Sequence, residues 1–500
     1  MGKRARFYAR TPRRTRAIHA VRRPFGAGYF RFLSRISRRR FGKRLTLLAL
    51  VVLLVAALLA RSNSATILPS ESASGVYSGV MSDGSLYEFQ VPPNWNGILM
   101  LYSHGYVVRG DLNPAVDAGD IYTGAWLLAH HYAVAGSSFS SAGWDVRQAE
   151  VDQKNLITQF SALVGRTPRK IIAWGHSLGG LITLELAQMY PGIISGAVSF
   201  CGVVTGGTPI WNMDLAAMAA FRALLGKASS IQLVDISNPT QNLALAEQLA
   251  SSSQATPQGR ARLALISALD SIPPWYDPSS PMPQNPSAQE EAQYEWLSVN
   301  DLPFFADYRA ELERRAGGNF SSDQGFNYSK VLARSPWLSE VKSLYASAHL
   351  SLSSDLARLE ALKPIKADPK AMKYVNEYSS VTGDLKVPIL TVHTTGDGLV
   401  PDSTESYFRS LVARSGDQDL LRQLFVGRAG HCTFSASETI VALKAEIHRV
   451  LDGNWPNLGA GHLNHLAGSF QSQYNKFSTD TGIFFVRPNF VSIAPPKFPG

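Results

Sequence analysis

Two kinds of hydrophobic pattern alternate along most of this chain. Short, mainly apolar runs at residues 97–102, 133–139, 171–174, 194–201, 387–393 and 420–426 read as strands. Longer stretches at 119–131, 146–164, 181–190 and 436–451 read as helices. Ahead of them, runs at 76–80 and 86–91 flank Ser82-Asp83-Gly84-Ser85, a turn composition that predicts a hairpin. Alternation of this kind predicts an α/β fold, a mostly parallel, doubly wound sheet with helices on both faces. The loops at the carboxyl ends of such strands are where ligands bind.

From about 205 to 386 the pattern changes. Strand signals are few, helical ones many, and prolines interrupt them, as at Ile272-Pro273-Pro274-Trp275 and from Pro278 to Pro286. The reading is a mainly helical cap, 205–386, inserted between sheet strands. It divides the core into a first part, 75–204, and a second, 387–452. Trp211, Trp275, Trp296, Trp337 and the aromatic cluster at 302–308 belong to the cap. A minority of these rings is expected to line a pocket, and the rest to build the cap's own interior. The tail, 453–500, has one apolar run, 482–486, expected to pack on the body or to add an edge strand.

The most informative segment is Lys170 to Gly180, where the run Ile171–Trp174 leads into Gly175-His176-Ser177-Leu178-Gly179-Gly180. Strand, sharp turn and helix put Ser177 at an apex, with its hydroxyl clear of the backbone and free N–H groups of a helix start beside it. Asp397 follows the strand at 387–393, in Thr394-Thr395-Gly396-Asp397-Gly398, with Asp402 as a competing acid nearer the next helix start. His431 follows the strand at 420–426 and the turn Gly427-Arg428-Ala429-Gly430. Serine, acid and histidine thus come in that order, the last two each on a loop just after a strand. Upstream, the strand at 97–102 ends in Ser103-His104-Gly105-Tyr106. His104 and His176 are expected to be structural neighbours of the turn, and His393 to sit within the sheet.

On His104-Gly105, Gly175 to Gly180, Gly396-Asp397 with Val400-Pro401, and Gly430-His431, the chain resembles the α/β-hydrolase superfamily of serine esterases, lipases and peptidases. The resemblance covers roughly 75–205 and 385–452. It implies a nucleophile at Ser177, a general base at His431 and an orienting acid at Asp397. It implies an oxyanion site made by the backbone N–H groups of Tyr106 and Leu178. Such chemistry calls for no metal and no organic cofactor, and for a small-molecule or peptide acyl substrate. Carboxylic ester hydrolysis is the first expectation. A capped peptidase of the proline-iminopeptidase and tripeptidyl-aminopeptidase type is the alternative, with Glu290, Glu291 or Glu295 holding the substrate's amine. A non-catalytic binding protein on the same fold is the third.

The two cysteines add to this picture. Cys201 ends a strand and Cys432 follows His431, so both fall at the carboxyl edge of the sheet, as a bridge clamping the histidine loop or as two buried thiols. A cysteine after the histidine is similar to the tannase-like and feruloyl esterases, which pair it with a cysteine before the serine; this chain has His176 there.

Charge separates the chain into two parts. The net charge is +10, yet residues 1–44 hold 16 Lys and Arg and no acid, which leaves the remainder at −6. A nucleic-acid partner for the body is therefore not expected. Behind the basic leader, 1–44, comes an uncharged apolar stretch, 45–60, closed by Arg61 and a polar linker, 61–74. As a helix it would reach about 24 Å, short of a bilayer core of roughly 30 Å, which suits a signal segment or an N-terminal anchor. Ser37-Arg38-Arg39-Arg40-Phe41-Gly42-Lys43 resembles the bacterial twin-arginine export signal, with Gly42 in the place of its leucine. The expectation is a protein handled by export machinery or held at a membrane, with its body outside the cytoplasm.

Overall fold

The computed structural model describes residues 74–226, 230–479 and 482–499. The basic leader 1–44, the apolar segment 45–60 and all but the last residue of the linker 61–74 lie outside them. Among the described residues no helix is long and apolar enough to cross a membrane.

Eleven strands are described: β1 (Gly75–Val80), β2 (Leu86–Val91), β3 (Ile98–Ser103), β4 (Ala133–Ser137), β5 (Lys170–His176), β6 (Gly196–Phe200), β7 (Ile389–Gly396), β8 (Leu421–Ala429), β9 (Lys476–Thr479), β10 (Gly482–Phe485) and β11 (Phe490–Val491). Nine form one sheet in the order β1-β2-β4-β3-β5-β6-β7-β8-β11. From β4 to β8 all neighbours are parallel, while the β1–β2 hairpin, the β2–β4 pair and the β8–β11 pair are antiparallel.

The central strands are mainly apolar because both of their faces are covered. Successive side chains of β3 alternate between two cores. Leu99 and Leu101 pack with the helices Val146–Val164 and Leu178–Met189, whereas Ile98, Met100 and Tyr102 pack with Ile121–Ala129 and Ala436–Asp452. The cap reading also has a local cause. Among the described residues no strand lies between β6 and β7. Four of its helices begin with a proline in the first turn, behind a capping side chain: Asn238, Thr256, Asn285 and Asp368. Proline lacks the N–H that a helix start leaves unpaired, so several of the sequence's interruptions are helix starts.

The cap has its own apolar interior and is fastened to the core by charge. Arg315 pairs with Asp145 at 2.7 Å and with Glu311 at 2.6 Å, and Glu311 also accepts the backbone N–H of Trp144 at 2.9 Å. Two π-helical segments, Leu297–Asp301 and Phe304–Tyr308, precede the helix Arg309–Ala316.

The tail both adds an edge strand and packs on the body, with different residues from those anticipated. The run at 482–486 pairs with β9 in a separate two-stranded sheet, where Phe477 and Phe484 stack with ring centroids 5.3 Å apart. The edge strand beside β8 is Phe490–Val491. Pairing across a short turn costs little loop entropy, so β10 takes the nearby partner.

Candidate active site

Backbone geometry first sets the serine. Ser177 has φ 57° and ψ −124°, a conformation that a non-glycine residue adopts only when its surroundings impose it. They do so here through close approach. A methyl group on Gly179 would lie 2.0 Å from the carbonyl oxygen of Ser103, and one on Gly175 would lie 2.4 Å from that of Gly179. The end of β3, the end of β5 and the following helix therefore meet where only hydrogen fits. The amide of Ser177 donates to Phe200 O at 3.0 Å, which ties the turn to β6.

The histidine and acid loops hold each other. Gly430 N donates to Gly396 O at 3.0 Å, and Thr394 Oγ1 donates to Gly430 O at 2.7 Å. Below His431, the buried Arg428 guanidinium pairs with Glu438 at 2.8 Å and donates to Thr433 O at 2.6 Å. Glu438 also closes a capping box with Ser435 at the start of the helix Ala436–Asp452.

These loops bring three distant side chains into line. His431 Nε2 lies 2.8 Å from Ser177 Oγ, and His431 Nδ1 lies 2.7 Å from Asp397 Oδ2. The other oxygen of Asp397 accepts the backbone N–H groups of Leu399 and Val400, each at 3.0 Å, which fixes the plane of the carboxylate. The sheet order places the serine after β5, the acid after β7 and the histidine after β8, at one edge.

The chain has the α/β-hydrolase fold.

No protein-family model matches it. In sequence it is similar to an o-phthalyl amidase of Xanthobacter agilis, 27% identical over 423 residues that span 78% of this chain and 90% of that protein. Among solved structures it is similar to feruloyl esterase B from Aspergillus oryzae, 15% identical, covering 76% of this chain and 80% of that one at a TM-score of 0.36. It is also similar to a thermostable carboxyl esterase from Bacillus coagulans, 11% identical over 76% and 98% of the two chains at a TM-score of 0.35. These relatives are hydrolases of the esterase and amidase types; the fold itself is read from the sheet order and loop positions above.

Within this fold, Ser177 opens into a cavity of about 760 Å³ that is also lined by Tyr106, Leu178 and His431. Gly105 passes so close that a methyl group there would touch the Ser177 side chain at 3.4 Å. The cap side of the cavity is walled by rings. The cap contributes Tyr276, Trp296, Phe304 and Tyr308 to the lining; Tyr308 stacks on Tyr106 of the core at 4.0 Å, and Phe304 stacks on Trp211, which lies behind the wall, at 4.4 Å. Asn300, Phe304 and Tyr308 all come from the two π-helical segments, whose irregular turns are frequent at functional sites.

His104 Nδ1 and Nε2 face Gly105 O at 2.7 Å and Ser138 O at 3.1 Å, and burial holds its pKa below the usual value. His176 meets Tyr102 Oη at 3.2 Å and stacks on Phe200; burial first, and the nearby His431 second, push it down to about 3, so it is neutral. Asp402 stands at the start of the helix Ser403–Ser415, not on His431, and burial raises it to about 7. Glu290 pairs with Arg260 at 2.6 Å. Neither it nor Glu291 nor Glu295 lines the cavity, so the amine-holding role has no support among them.

His393 does sit within β7, as expected, but its charge was not legible. Burial opposes protonation, yet the Glu405 carboxylate at 3.2 Å, with Asp397 farther away at 3.7 Å, raises it to about 9. Both ring nitrogens face acceptors, Glu405 Oε1 at 3.2 Å and Val400 O at 2.7 Å, an arrangement that favours the protonated ring behind Asp397. Glu405 lies on the next helix, which no local pattern reveals.

Cys201 and Cys432 form a disulfide, with Cα atoms 5.3 Å apart. Both have positive φ, 44° and 58°, like Ser177. The bridge joins the end of β6 to the residue after His431 and closes a loop with a sequence separation of 231. Replacing both cysteines by serine is expected to lower unfolding stability by about 2–5 kcal/mol. Denaturant unfolding of the oxidised wild type and the double variant measures this. Equal midpoints would mean that the bridge contributes nothing to stability.

Proposed function

We propose that this protein is a serine hydrolase that cleaves carboxylic esters bearing an apolar, ring-sized group. The observation that carries the reading is the continuous contact from Asp397 through His431 to Ser177 at the wall of the ring-lined cavity. A serine hydroxyl becomes nucleophilic when an imidazole takes its proton. His431 Nε2 accepts that proton as Ser177 Oγ bonds to the acyl carbon. The oxyanion that forms is met by the backbone N–H groups of Tyr106 and Leu178. Collapse expels the alcohol, which takes the proton from His431. Water, deprotonated by the same nitrogen, then attacks the acyl-enzyme and releases the acid with Ser177 restored. Asp397 keeps Nδ1 protonated throughout and stabilises the imidazolium.

Amide cleavage is the second reading, favoured by the similarity to the o-phthalyl amidase over 78% of the chain. The same steps apply with an amine as leaving group. Matched p-nitrophenyl esters and p-nitroanilides of one aromatic acid separate the two. The ester reading expects turnover of the esters and little of the anilides. Turnover of neither, with no labelling of Ser177 by a fluorophosphonate, would sink both and leave a binding protein.

The working compartment is proposed to be extracytoplasmic. Support comes from the basic-then-apolar order of residues 1–60 and from the Cys201–Cys432 disulfide, a bond that persists in oxidising surroundings.

A further inference from the structure

The tail also contributes to the cavity wall, through Lys476, Phe477, Ser478 and Ile483. Besides these residues and the cap's rings, the cavity has Tyr122 in its lining. Among the described residues Lys476 is the one lysine or arginine on its wall. Its Nζ lies 4.5 Å from the centre of the Tyr122 ring and 5.9 Å from that of Phe485. Among the described residues no carboxylate stands within 4.0 Å of it. Asp120 also lines the cavity, but its oxygens are engaged. One accepts the N–H groups of Tyr122 and Thr123 at 2.8 and 2.9 Å, and the other accepts Thr123 Oγ1 at 2.5 Å.

The backbone that carries Lys476 is held in place. Asn475 Oδ1 accepts Ser437 Oγ at 2.6 Å, Asn475 O accepts Val486 N at 2.9 Å, and the neighbouring Phe477 is buried against Phe484. A long flexible ammonium on a fixed base, flanked by aromatic faces, is a ready partner for an anion. The largely apolar walls around it weaken competition from water and strengthen any charge pair.

We propose that Lys476 is a specificity-determining residue that binds a carboxylate on the substrate, so that the preferred substrates are acidic esters or amides. The carboxylate sits at Lys476 on the cavity wall while the acyl carbon reaches Ser177. This rests on the serine-hydrolase reading and adds the substrate class to it.

The test compares a neutral p-nitrophenyl ester, the butyrate, with p-nitrophenyl hemiglutarate, which carries a free carboxylate at a similar length. In the full chain, the ratio of kcat/KM for the anionic over the neutral ester is measured for wild type, Lys476→Arg, Lys476→Met and Lys476→Glu. The expected result is a fall in that ratio of about 10- to 100-fold in Lys476→Met, carried mainly by KM, the range for a lost charged hydrogen bond. Lys476→Arg retains most of the preference, and Lys476→Glu loses more than Lys476→Met. A wild type with no preference for the anionic ester overturns the proposal, as does an equal fall for both esters in Lys476→Met, which marks a structural role. If wild type cleaves neither ester and Ser177 resists a fluorophosphonate, the serine-hydrolase reading has failed instead.

Discussion

Ser177→Ala lowers kcat/KM for ester hydrolysis by on the order of 10⁴- to 10⁶-fold, with the protein still folded. In the proposed reaction the hydroxyl oxygen bonds to the acyl carbon, and it is the atom that His431 Nε2 meets at 2.8 Å. What survives is the cavity and the oxyanion donors, which alone give a small residual rate. Stability changes little, because the turn is held by Gly175, Gly179 and the Ser177 backbone, none of which the substitution alters. Loss of fluorophosphonate labelling and an unchanged far-ultraviolet circular dichroism spectrum accompany the loss of rate. Near-wild-type turnover in this variant would remove the serine from the reaction.

Asp397→Asn reduces the rate by about 10⁴-fold at neutral pH through a change of tautomer. The oxygen that accepts Leu399 N and Val400 N has to remain an oxygen, since both partners are donors. The substituted NH₂ group then faces His431 Nδ1, where the carboxylate now accepts at 2.7 Å. A donor there requires Nδ1 to be the bare nitrogen, so the proton moves to Nε2, and Nε2 can no longer take the proton of Ser177. The kinetic test is kcat/KM across pH, with thermal unfolding as control. A loss of less than about tenfold would show that the acid has a different role, since tautomer control alone accounts for far more.

Much of the core was legible because its strands are covered on both sides. β3 and β5 carry nearly continuous apolar residues, β7 is buried although it includes Thr391, His393 and Thr394, and each ends at a glycine-containing turn. The positions of Ser177 and Asp397 follow from the turns after β5 and β7, and that of His431 from the turn after β8. The helical insertion was legible from its proline spacing and lack of short apolar runs. What stayed hidden depends on contacts between distant segments. His393 looks like an ordinary sheet residue until Glu405 is brought against it. Glu290 looks like a surface carboxylate until Arg260 buries it with the cap. Lys476 lies in a polar tail with no local signal, and only the docking of Asn475 on Ser437 brings it to the cavity. The π-helical segments were equally invisible, since Leu297 to Tyr308 reads as ordinary helix or loop.

The disulfide has a topological result as well as a local one. Residues 201 and 432 bracket the whole cap, so a protease that cuts one exposed cap turn, such as the one around Ser279, leaves two fragments still covalently joined. Such a nicked molecule runs as one species until a reductant is added. Its serine and imidazole remain on opposite fragments, yet stay tethered across the 5.3 Å between the two bridging Cα atoms.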